Sequence, residues 1–295
     1  MPEYIVRYGA MRLMGLFQAP EGASFGPGSQ VIIRTDRGQE MGTVLCEAEE
    51  RTKSLVADQT NLGQGQILRL MTPQDAQELA VIHEEEKRKF PICLQYIERC
   101  GLSMRVIRVE QLFGGERIIV YYLAEQRVDF RELVKLLARE FQTRIEMRQI
   151  GVRDAARLLA DYGDCGKPVC CNTHLIAIPP VSMRMAKLQK ATLDPTKISG
   201  RCGRLKCCLR YEFPLYEAWH EKLPPIGAEV ERSGERGRVV AVEPFSQQVW
   251  IEISGLGRRL VPAEDLKVLG DLKSVEAMEA LGTESEGDLD SLSDA

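Results

Sequence analysis

Six of the nine cysteines fall into two copies of one pattern, in which a cysteine and a glycine are followed by three other residues and then by two adjacent cysteines. The first copy occupies residues 165–171 and the second residues 202–208, an offset of 37 residues. The six are Cys165, Cys170, Cys171, Cys202, Cys207 and Cys208. Thiolates are ligands for zinc and for iron–sulfur clusters, so a repeated set of thiols predicts a metal site.

Helix geometry restricts where these thiols can lie. Five residues advance a helix by about 500°, which leaves Cys165 and Cys170 about 140° apart on a regular helix. The first cysteine of each copy is therefore expected on a loop, and Gly166 and Gly203 accept the positive φ that such a loop needs. The two adjacent cysteines also diverge, which favours ligation of different metals, or of one metal with the other thiol in the core.

Three interpretations of the cysteines compete. A disulfide framework is disfavoured because the chain has no secretory signal and a cytosolic chain keeps its thiols reduced. Burial for packing suits Cys46, Cys93 and Cys100, which lie among apolar neighbours. Metal ligation suits the repeat. Zinc sites usually show two cysteines separated by two residues, and this chain lacks that spacing, so an iron–sulfur cluster is favoured and zinc is the alternative.

The number of ligands is incomplete within one copy. Three thiols are one short of four, so the ligands must be pooled between the copies or supplied by a partner. His174 follows Cys170 and Cys171 closely enough to be a fourth ligand, although packing beside the site is the favoured interpretation.

Basic residues surround the second copy. Residues 181–212 contain two acids and eight basic residues: Arg184, Lys187, Lys190, Lys197, Arg201, Arg204, Lys206 and Arg210. Such neighbours lower the pKa of thiols and offset the charge of a thiolate-ligated cluster. Arg201, Arg204, Lys206 and Arg210 are accordingly candidate contacts for a partner, or for the phosphates of a nucleic acid.

Several motifs resemble those of the bacterial YaaT/RicT family. They are residues 127–134 (RVDFRELV), 150–154 (IGVRD), 195–200 (PTKISG), 202–205 (CGRL), 207–209 (CCL) and 211–212 (YE), and the resemblance runs from about residue 4 to about residue 268. It implies a non-catalytic cytoplasmic scaffold or regulatory subunit, linked to development in some members. It also implies 4Fe-4S clusters, held together with helical YlbF-like and YmcA-like partners, and promotion of mRNA processing by ribonuclease Y.

Two other functions are open. The first is a zinc-dependent nucleic-acid-binding protein that uses the basic, cysteine-rich region. The second, a redox enzyme using Cys170 and Cys171, is the least favoured because an attacking thiol usually has a resolving cysteine separated from it by two residues. The three histidines lie in unrelated contexts, and no nucleotide-binding loop, nucleophile elbow or zinc-protease motif occurs in the sequence. We therefore expect no enzymatic activity.

The composition predicts a soluble α+β protein. The chain has 295 residues, of which 44% are hydrophobic, and no apolar run approaches a membrane span, so a cytoplasmic location without membrane insertion is expected. Five parts are predicted: a β-rich unit (1–70), an α/β sandwich (71–151), the cysteine-rich region (152–224), a small SH3-like β-barrel (225–270) and an acidic tail (271–295), disordered beyond about residue 282.

Two of these parts carry specific expectations. In the first, a turn at residues 36–38 joins two strands of a hairpin, and nothing is expected to be catalytic. The second has the order α-β-β-α-β and corresponds to the polymerase-suppressor (PSP) C-terminal domain of the family that the chain resembles. Its sheet is predicted to be covered by helices and its charged residues to lie on the surface.

Overall fold

The computed structural model describes residues 2–57, 62–159, 162–175 and 177–269, with side chains described except at 55–57. The fold is a mixture of helices and strands, as predicted, with one barrel and two further sheets. Contacts divide the chain into two compact units. The first comprises Met1–Pro179 with Ser199–Arg204, and the second comprises Pro180–Ile198 with Leu205–Ala295.

The N-terminal part of the first unit is a closed five-stranded barrel in the order β1-β2-β5-β3-β4. Its elements are β1 (Glu3–Tyr8), β2 (Leu13–Gln18), β3 (Gln30–Arg34), β4 (Gln39–Glu47), α1 (Glu50–Ala57) and β5 (Gly63–Leu70). Alternate side chains fill the interior, among them Val6, Phe17, Val31 and Ile67. The predicted strands and the hairpin turn are confirmed, whereas α1 was not predicted.

The barrel closes through a parallel pair of strands that are distant in sequence. Strand β5 lies between β2 and β3, parallel to β2 and antiparallel to β3. Gly15 of β2 faces Gly63 of β5, and a Cβ on Gly15 would lie 2.7 Å from the Gly63 carbonyl oxygen. The barrel therefore needs a glycine at position 15 for β5 to pair at this distance.

A three-stranded sheet with two helices on one face follows the barrel. The elements are α2 (Pro73–Arg99), β6 (Arg105–Gln111), β7 (Arg117–Leu123), α3 (Arg131–Phe141) and β8 (Arg144–Gln149), in the predicted order. The strands lie in the order β6-β7-β8, with β6 antiparallel and β8 parallel to β7. Cys93 and Ile97 of α2 pack with Leu133 and Leu137 of α3 over this sheet.

The ends of these helices follow local sequence signals. Thr72 and Asp75 form a reciprocal capping box at the start of α2, and Gly101 with φ +63° follows its last turn. Pro91 was expected to kink the helix or to start a new one; α2 continues through it, so a new start is wrong. Asp129 lies two residues before α3 begins at Arg131, and it accepts a hydrogen bond from the Arg131 N–H (3.1 Å).

The opposite face of the sheet is also covered. Leu112, Ile119 and Tyr121 pack against Ala155 and Leu158 of α4 (Val152–Leu159). The predicted covered sheet is thus confirmed. The expectation that charged residues of this segment lie on its surface is wrong for Glu86 and Glu110, which are buried because each accepts hydrogen bonds from neighbouring elements.

After the short α5 (Cys170–Thr173) of the first unit, the second unit combines three helices with an antiparallel sheet. The helices are α6 (Met183–Leu188), α7 (Pro195–Ile198) and α8 (Cys207–His220). The sheet contains β9 (Glu229–Arg232), β10 (Glu235–Glu243), β11 (Gln248–Ile253), β12 (Gly257–Pro262) and β13 (Lys267–Leu269), in the order β12-β11-β10-β9-β13. Val230, Val239, Val249 and Ile251 form its core.

One helix differs from its predicted extent. The sequence predicts a helix over residues 214–223, but α8 begins at Cys207 and contains Pro214. Burial of Leu209 and Phe213 against α6 stabilises the turns that precede the proline. None of the helices in the described ranges is both long and apolar enough to cross a lipid bilayer. The acidic tail lies outside the described residues, and the five-part division remains a prediction.

Candidate metal centre

The first copy of the cysteine pattern forms a tight loop followed by a helical turn. The Gly163 N–H donates to the Lys167 carbonyl (2.8 Å), and the Gly166 N–H donates to the Gly163 carbonyl (3.0 Å). Gly166 has φ +75°, a conformation that glycine adopts without strain. The loop carries Cys165, and α5 begins at Cys170.

The second copy repeats this backbone geometry. The Gly200 N–H donates to the Arg204 carbonyl (2.8 Å), the Gly203 N–H donates to the Gly200 carbonyl (2.9 Å), and Gly203 has φ +77°. Helix α8 begins at Cys207, as α5 begins at Cys170. The loop position of the first cysteine and the role of the glycine are therefore confirmed in both copies. The same hydrogen bonds form although residues 167–169 and 204–206 differ in sequence.

The six thiols differ in exposure and are divided between the two units. Cys165 is exposed, and the other five are half-buried. Cys165, Cys170, Cys171 and Cys202 belong to the first unit, whereas Cys207 and Cys208 belong to the second. All nine cysteines of the chain are present as thiols rather than disulfides.

Cys171 and Cys202, one from each copy, lie close enough within the first unit to interact electrostatically. Burial raises the pKa of the Cys171 thiol, Arg157 and Arg153 oppose the increase, and a charge on Cys202 adds to it. The two arginines lower the pKa of the Cys171 thiol, but burial outweighs them and the net change is an increase.

The first copy is anchored to the N-terminal barrel. Arg12, in the turn after β1, donates from Nη1 to the Asn172 side-chain oxygen (3.1 Å) in α5. Arg157 of α4 donates to the Arg12 carbonyl (3.5 Å). Arg12 and Asn172 are 160 residues apart, so no local sequence pattern indicates this contact.

The described residues contain no group of three or more histidine, cysteine, aspartate or glutamate side chains that could hold a metal ion. The donor set nevertheless has the chemistry that iron–sulfur clusters use, because it consists of thiols on two matching loops. The exposed His174 lies at the end of α5, where its Nδ1 is 3.1 Å from the Thr173 hydroxyl. The metal and its ligands therefore remain predictions.

The basic candidates also divide between the units. Arg201 and Arg204 are exposed on the second loop, within the first unit. Lys206 and Arg210 are half-buried in the second unit. The side chains with the greatest access to a partner or a phosphate are therefore Arg201 and Arg204.

The three remaining cysteines were expected in the core, and Cys93 confirms this most clearly. It is fully buried, and burial raises the pKa of its thiol to about 12. Cys100 packs at the edge of the same core, and Cys46 is half-buried on β4.

A buried charged network was missed by sequence reasoning. Arg37 Nη2 donates to Glu110 Oε2 (2.6 Å), and Arg37 Nε lies 3.4 Å from Glu40 Oε1. The Tyr121 hydroxyl also donates to Glu110 (2.7 Å). Glu40 and Glu110, with His83, Glu86 and Arg108, help to line a cavity of about 150 Å³. The network connects the barrel to the three-stranded sheet.

Comparison with known proteins adds a family assignment to this geometry. Residues 65–150 match the PSP1 C-terminal conserved region, and residues 180–223 match the third domain of PSP1-like proteins. The chain is 40% identical over 238 residues to the stage 0 sporulation protein YaaT of Bacillus subtilis (strain 168), covering 79% of this chain and 84% of that protein. An uncharacterized protein of Schizosaccharomyces pombe is 26% identical over 140 residues, which are 40% of this chain and 19% of that one. No solved structure matches significantly.

Proposed function

Because the chain belongs to the YaaT family, we propose that it is a non-catalytic regulatory scaffold of a cytoplasmic complex that carries 4Fe-4S clusters. In this proposal it assembles with YlbF-like and YmcA-like helical proteins and promotes mRNA processing by ribonuclease Y. The name of the Bacillus subtilis relative refers to sporulation, and the proposal includes a link to sporulation or another developmental programme.

The observation that carries the proposal is the structural repeat of the two cysteine loops. The same pair of backbone hydrogen bonds, the same positive φ at the glycine and the same helix start occur in both copies. A core thiol needs none of these features, whereas a metal ligand must be held in a fixed orientation. Duplication of the whole loop therefore favours ligation over packing.

The thiols available as cluster ligands, four for each cluster unless a partner supplies some, are Cys165, Cys170, Cys171, Cys202, Cys207 and Cys208. A bound cluster would supply ligation free energy, which for such a site is also folding free energy. The chain's own contribution is to present the thiols on rigid turns and to anchor the first copy through Arg12 and Asn172. Metal loading would therefore stabilise the fold of the region that a partner contacts.

We also assign the sheet of the second unit to the SH3-like small barrels, a fold often used for protein or RNA contacts. Its strands β9 to β12 form an antiparallel meander, and β13 returns to pair with β9. This arrangement supports an adaptor role for the second unit.

The alternative is a zinc-dependent nucleic-acid-binding protein. It is favoured by the exposure of Arg201 and Arg204 on the second cysteine loop, where they could contact phosphates. In that case the thiols would hold zinc and the loop would contact RNA directly.

Purification under anaerobic conditions tests the proposal. The chain is isolated alone and with its YlbF-type and YmcA-type partners, and iron, sulfide and zinc are measured together with the visible spectrum. A brown protein with broad absorbance near ~400 nm and stoichiometric iron supports the cluster. A colourless, zinc-loaded protein in both preparations would contradict it and favour the alternative.

A further inference from the structure

A cavity lies where the parallel strands β7 and β8 meet the helix α3 that connects them. Tyr122, near the end of β7, is paired with Gln149 at the end of β8. The cavity has a volume of about 640 Å³, and its lining includes Tyr122, Arg127, Asp129, Phe130, Arg131 and Gln149. Sheets built from such β-α-β units bind ligands outside the carboxyl ends of their strands, which is where this cavity lies.

One wall of the cavity is a buried tyrosine whose hydroxyl has no partner in the described part of the chain. Tyr122 is 3% exposed, and its ring packs edge-to-face against Phe130 with centroids 6.2 Å apart. None of the described residues forms a hydrogen bond with the Tyr122 hydroxyl. Burial raises the pKa of Tyr122, so the hydroxyl stays protonated and can donate. Buried hydroxyls are normally hydrogen-bonded, so this one indicates an acceptor bound in the cavity.

The lining of the cavity also has an excess of positive charge. Asp129 is neutralised by Arg131, which contacts it through Nε (3.0 Å) and Nη2 (2.6 Å). Arg127 is exposed and has no ion pair or hydrogen bond with any residue that the structure describes. Its guanidinium is therefore available to bind an anion. Guanidinium groups suit phosphate because they can donate two parallel hydrogen bonds to it.

The first turn of α3 adds hydrogen-bond donors and a partial positive charge at the same place. The residue before this turn is Phe130, whose side chain does not cap the helix. The first N–H groups of an α-helix have no partner within the helix, and they commonly bind phosphate. The first turn also contains the acid Glu132, but Glu132 does not line the cavity. The donors around the cavity thus converge from a strand, a loop and a helix.

We propose that the cavity formed by β7, β8 and the start of α3 binds a nucleotide. The phosphate contacts the Arg127 guanidinium, the Tyr122 hydroxyl and the first turn of α3, and Phe130 offers an apolar surface to the base. The cavity is much larger than a phosphate ion and has the size and the mixed lining of a small-molecule site. The ligand is a free nucleotide or the phosphorylated end of an RNA, since both present a phosphate and a base. The assignment depends neither on the metal nor on the partners in the proposed function.

Calorimetric titration of the full chain tests the proposal. The probes are the four ribonucleoside monophosphates, the four unphosphorylated nucleosides, inorganic phosphate, and a short single-stranded RNA with or without a terminal phosphate. We expect saturable binding of a nucleotide or of the phosphorylated RNA, at least about tenfold tighter than that of inorganic phosphate or of the matched unphosphorylated probe. Inorganic phosphate that binds as tightly as every nucleotide and RNA would overturn the proposal, and so would a lack of saturation with all of them.

The same titrations distinguish the two sources of the ligand. A mononucleotide that binds at least as tightly as the phosphorylated RNA supports a free nucleotide. Phosphorylated RNA that binds more tightly than both the mononucleotide and the unphosphorylated RNA supports an RNA end. Equal binding of the two RNAs without binding of any mononucleotide would overturn the proposal, because the terminal phosphate would then make no contact.

Matched variants locate the bound ligand. Arg127→Met removes the unpaired charge, and Tyr122→Phe removes only the hydroxyl and keeps the buried ring. Each should weaken binding of the tightest ligand at least about tenfold, because each removes a hydrogen bond to a charged group. The control is Arg139→Met, which removes an exposed arginine from the last turn of the same helix and should bind as the wild type does. Thermal midpoints equal to that of the wild type show that the fold is retained. Wild-type affinity in both Arg127→Met and Tyr122→Phe would overturn the proposal.

Discussion

Arg37 and Glu110 form an ion pair of 2.6 Å in which the two side chains are only 7% and 9% exposed. Arg37 lies in the β3–β4 turn of the barrel, and Glu110 lies on β6 of the three-stranded sheet. Glu110 also accepts the Ala10 N–H (2.5 Å) and the Tyr121 hydroxyl (2.7 Å). The carboxylate is thus the point at which the barrel and the sheet are joined by charge as well as by packing.

Removing one member of this pair should destabilise the protein strongly. We expect Arg37→Met to lower the free energy of unfolding by about 3 to 5 kcal/mol, because it leaves a buried carboxylate without its cation. Urea unfolding measured at neutral pH checks this value. Glu110→Gln should also be destabilising, since it leaves Arg37 without its closest partner.

The same hairpin offers a control. Arg34 and Glu116 also form an ion pair, at 3.3 Å, but their side chains are 56% and 44% exposed. Arg34→Met should cost less than about 1 kcal/mol because water screens the pair. Equal losses in Arg34→Met and Arg37→Met would show that burial does not set the contribution of the inner pair.

Glu40 should give the stability a specific pH dependence. Burial raises the pKa of Glu40 to about 7 from an ordinary value of 4.5, although Arg37 opposes the increase. A carboxyl with a raised pKa binds more protons when folded, so its contribution is present below pH 4.5 and is lost as the pH rises through 7. The free energy of unfolding of the wild type should therefore fall relative to Glu40→Gln between these pH values. A constant difference between the two proteins across this range would contradict the prediction.

The cysteine repeat predicts a division between ligand and packing thiols. Serine at Cys165, Cys170, Cys202 or Cys207 should lower metal content and partner binding together, because ligation and folding of the loops are coupled. Serine at Cys46, Cys93 or Cys100 should leave the metal content unchanged, with a loss of stability only. Metal analysis and partner titration of the seven variants measure both effects. Unchanged iron and zinc in the first four would rule out ligation by these thiols.

The acidic tail is expected to contribute no stability. Residues 283–295 contain few apolar side chains, so deleting them should leave the thermal midpoint unchanged. Differential scanning calorimetry of the full and shortened chains measures this. A decrease of several degrees would show that the tail packs against the folded part.

The salt dependence of RNA binding separates the scaffold from the nucleic-acid-binding alternative. If Arg201 and Arg204 serve a protein partner, the metal-loaded chain alone should bind single-stranded RNA weakly. If they hold phosphates, the logarithm of the affinity should fall with the logarithm of salt concentration by roughly 0.7 for each phosphate neutralised. A slope of several units that becomes shallower when both arginines are changed to glutamate would favour the alternative.

Local patterns made much of the fold predictable. Short strand-like runs and the turn at residues 36–38 located strands of the barrel, and the signals at Thr72, Asp75 and Gly101 located the ends of α2. The predicted helix began at Pro214, whereas burial of Leu209 and Phe213 extends α8 back to Cys207. That burial is a tertiary effect, and a local pattern does not show it.

The sequence predicted the cysteine loops of the candidate site but not the contacts that hold them. The repeat of the cysteines and their glycines is visible in sequence, and so is the loop that it requires. The anchoring of the first copy by Arg12 and the pairing of Arg37 with Glu110 are not, because they join residues 160 and 73 positions apart. The sequence around Arg12 or Arg37 does not distinguish either residue from an exposed arginine.

The place of β5 in the barrel determines how the protein can be cut into pieces. The PSP1 match begins at residue 65, inside the strand that closes the barrel between β2 and β3. A recombinant fragment of residues 65–150 would therefore carry most of β5 without its neighbours, and Ile67, which is 2% exposed in the whole chain, would face water. An unpaired strand of this kind invites aggregation. A usable truncation must keep the barrel whole, so the unit recognised by sequence is smaller than the unit that can fold.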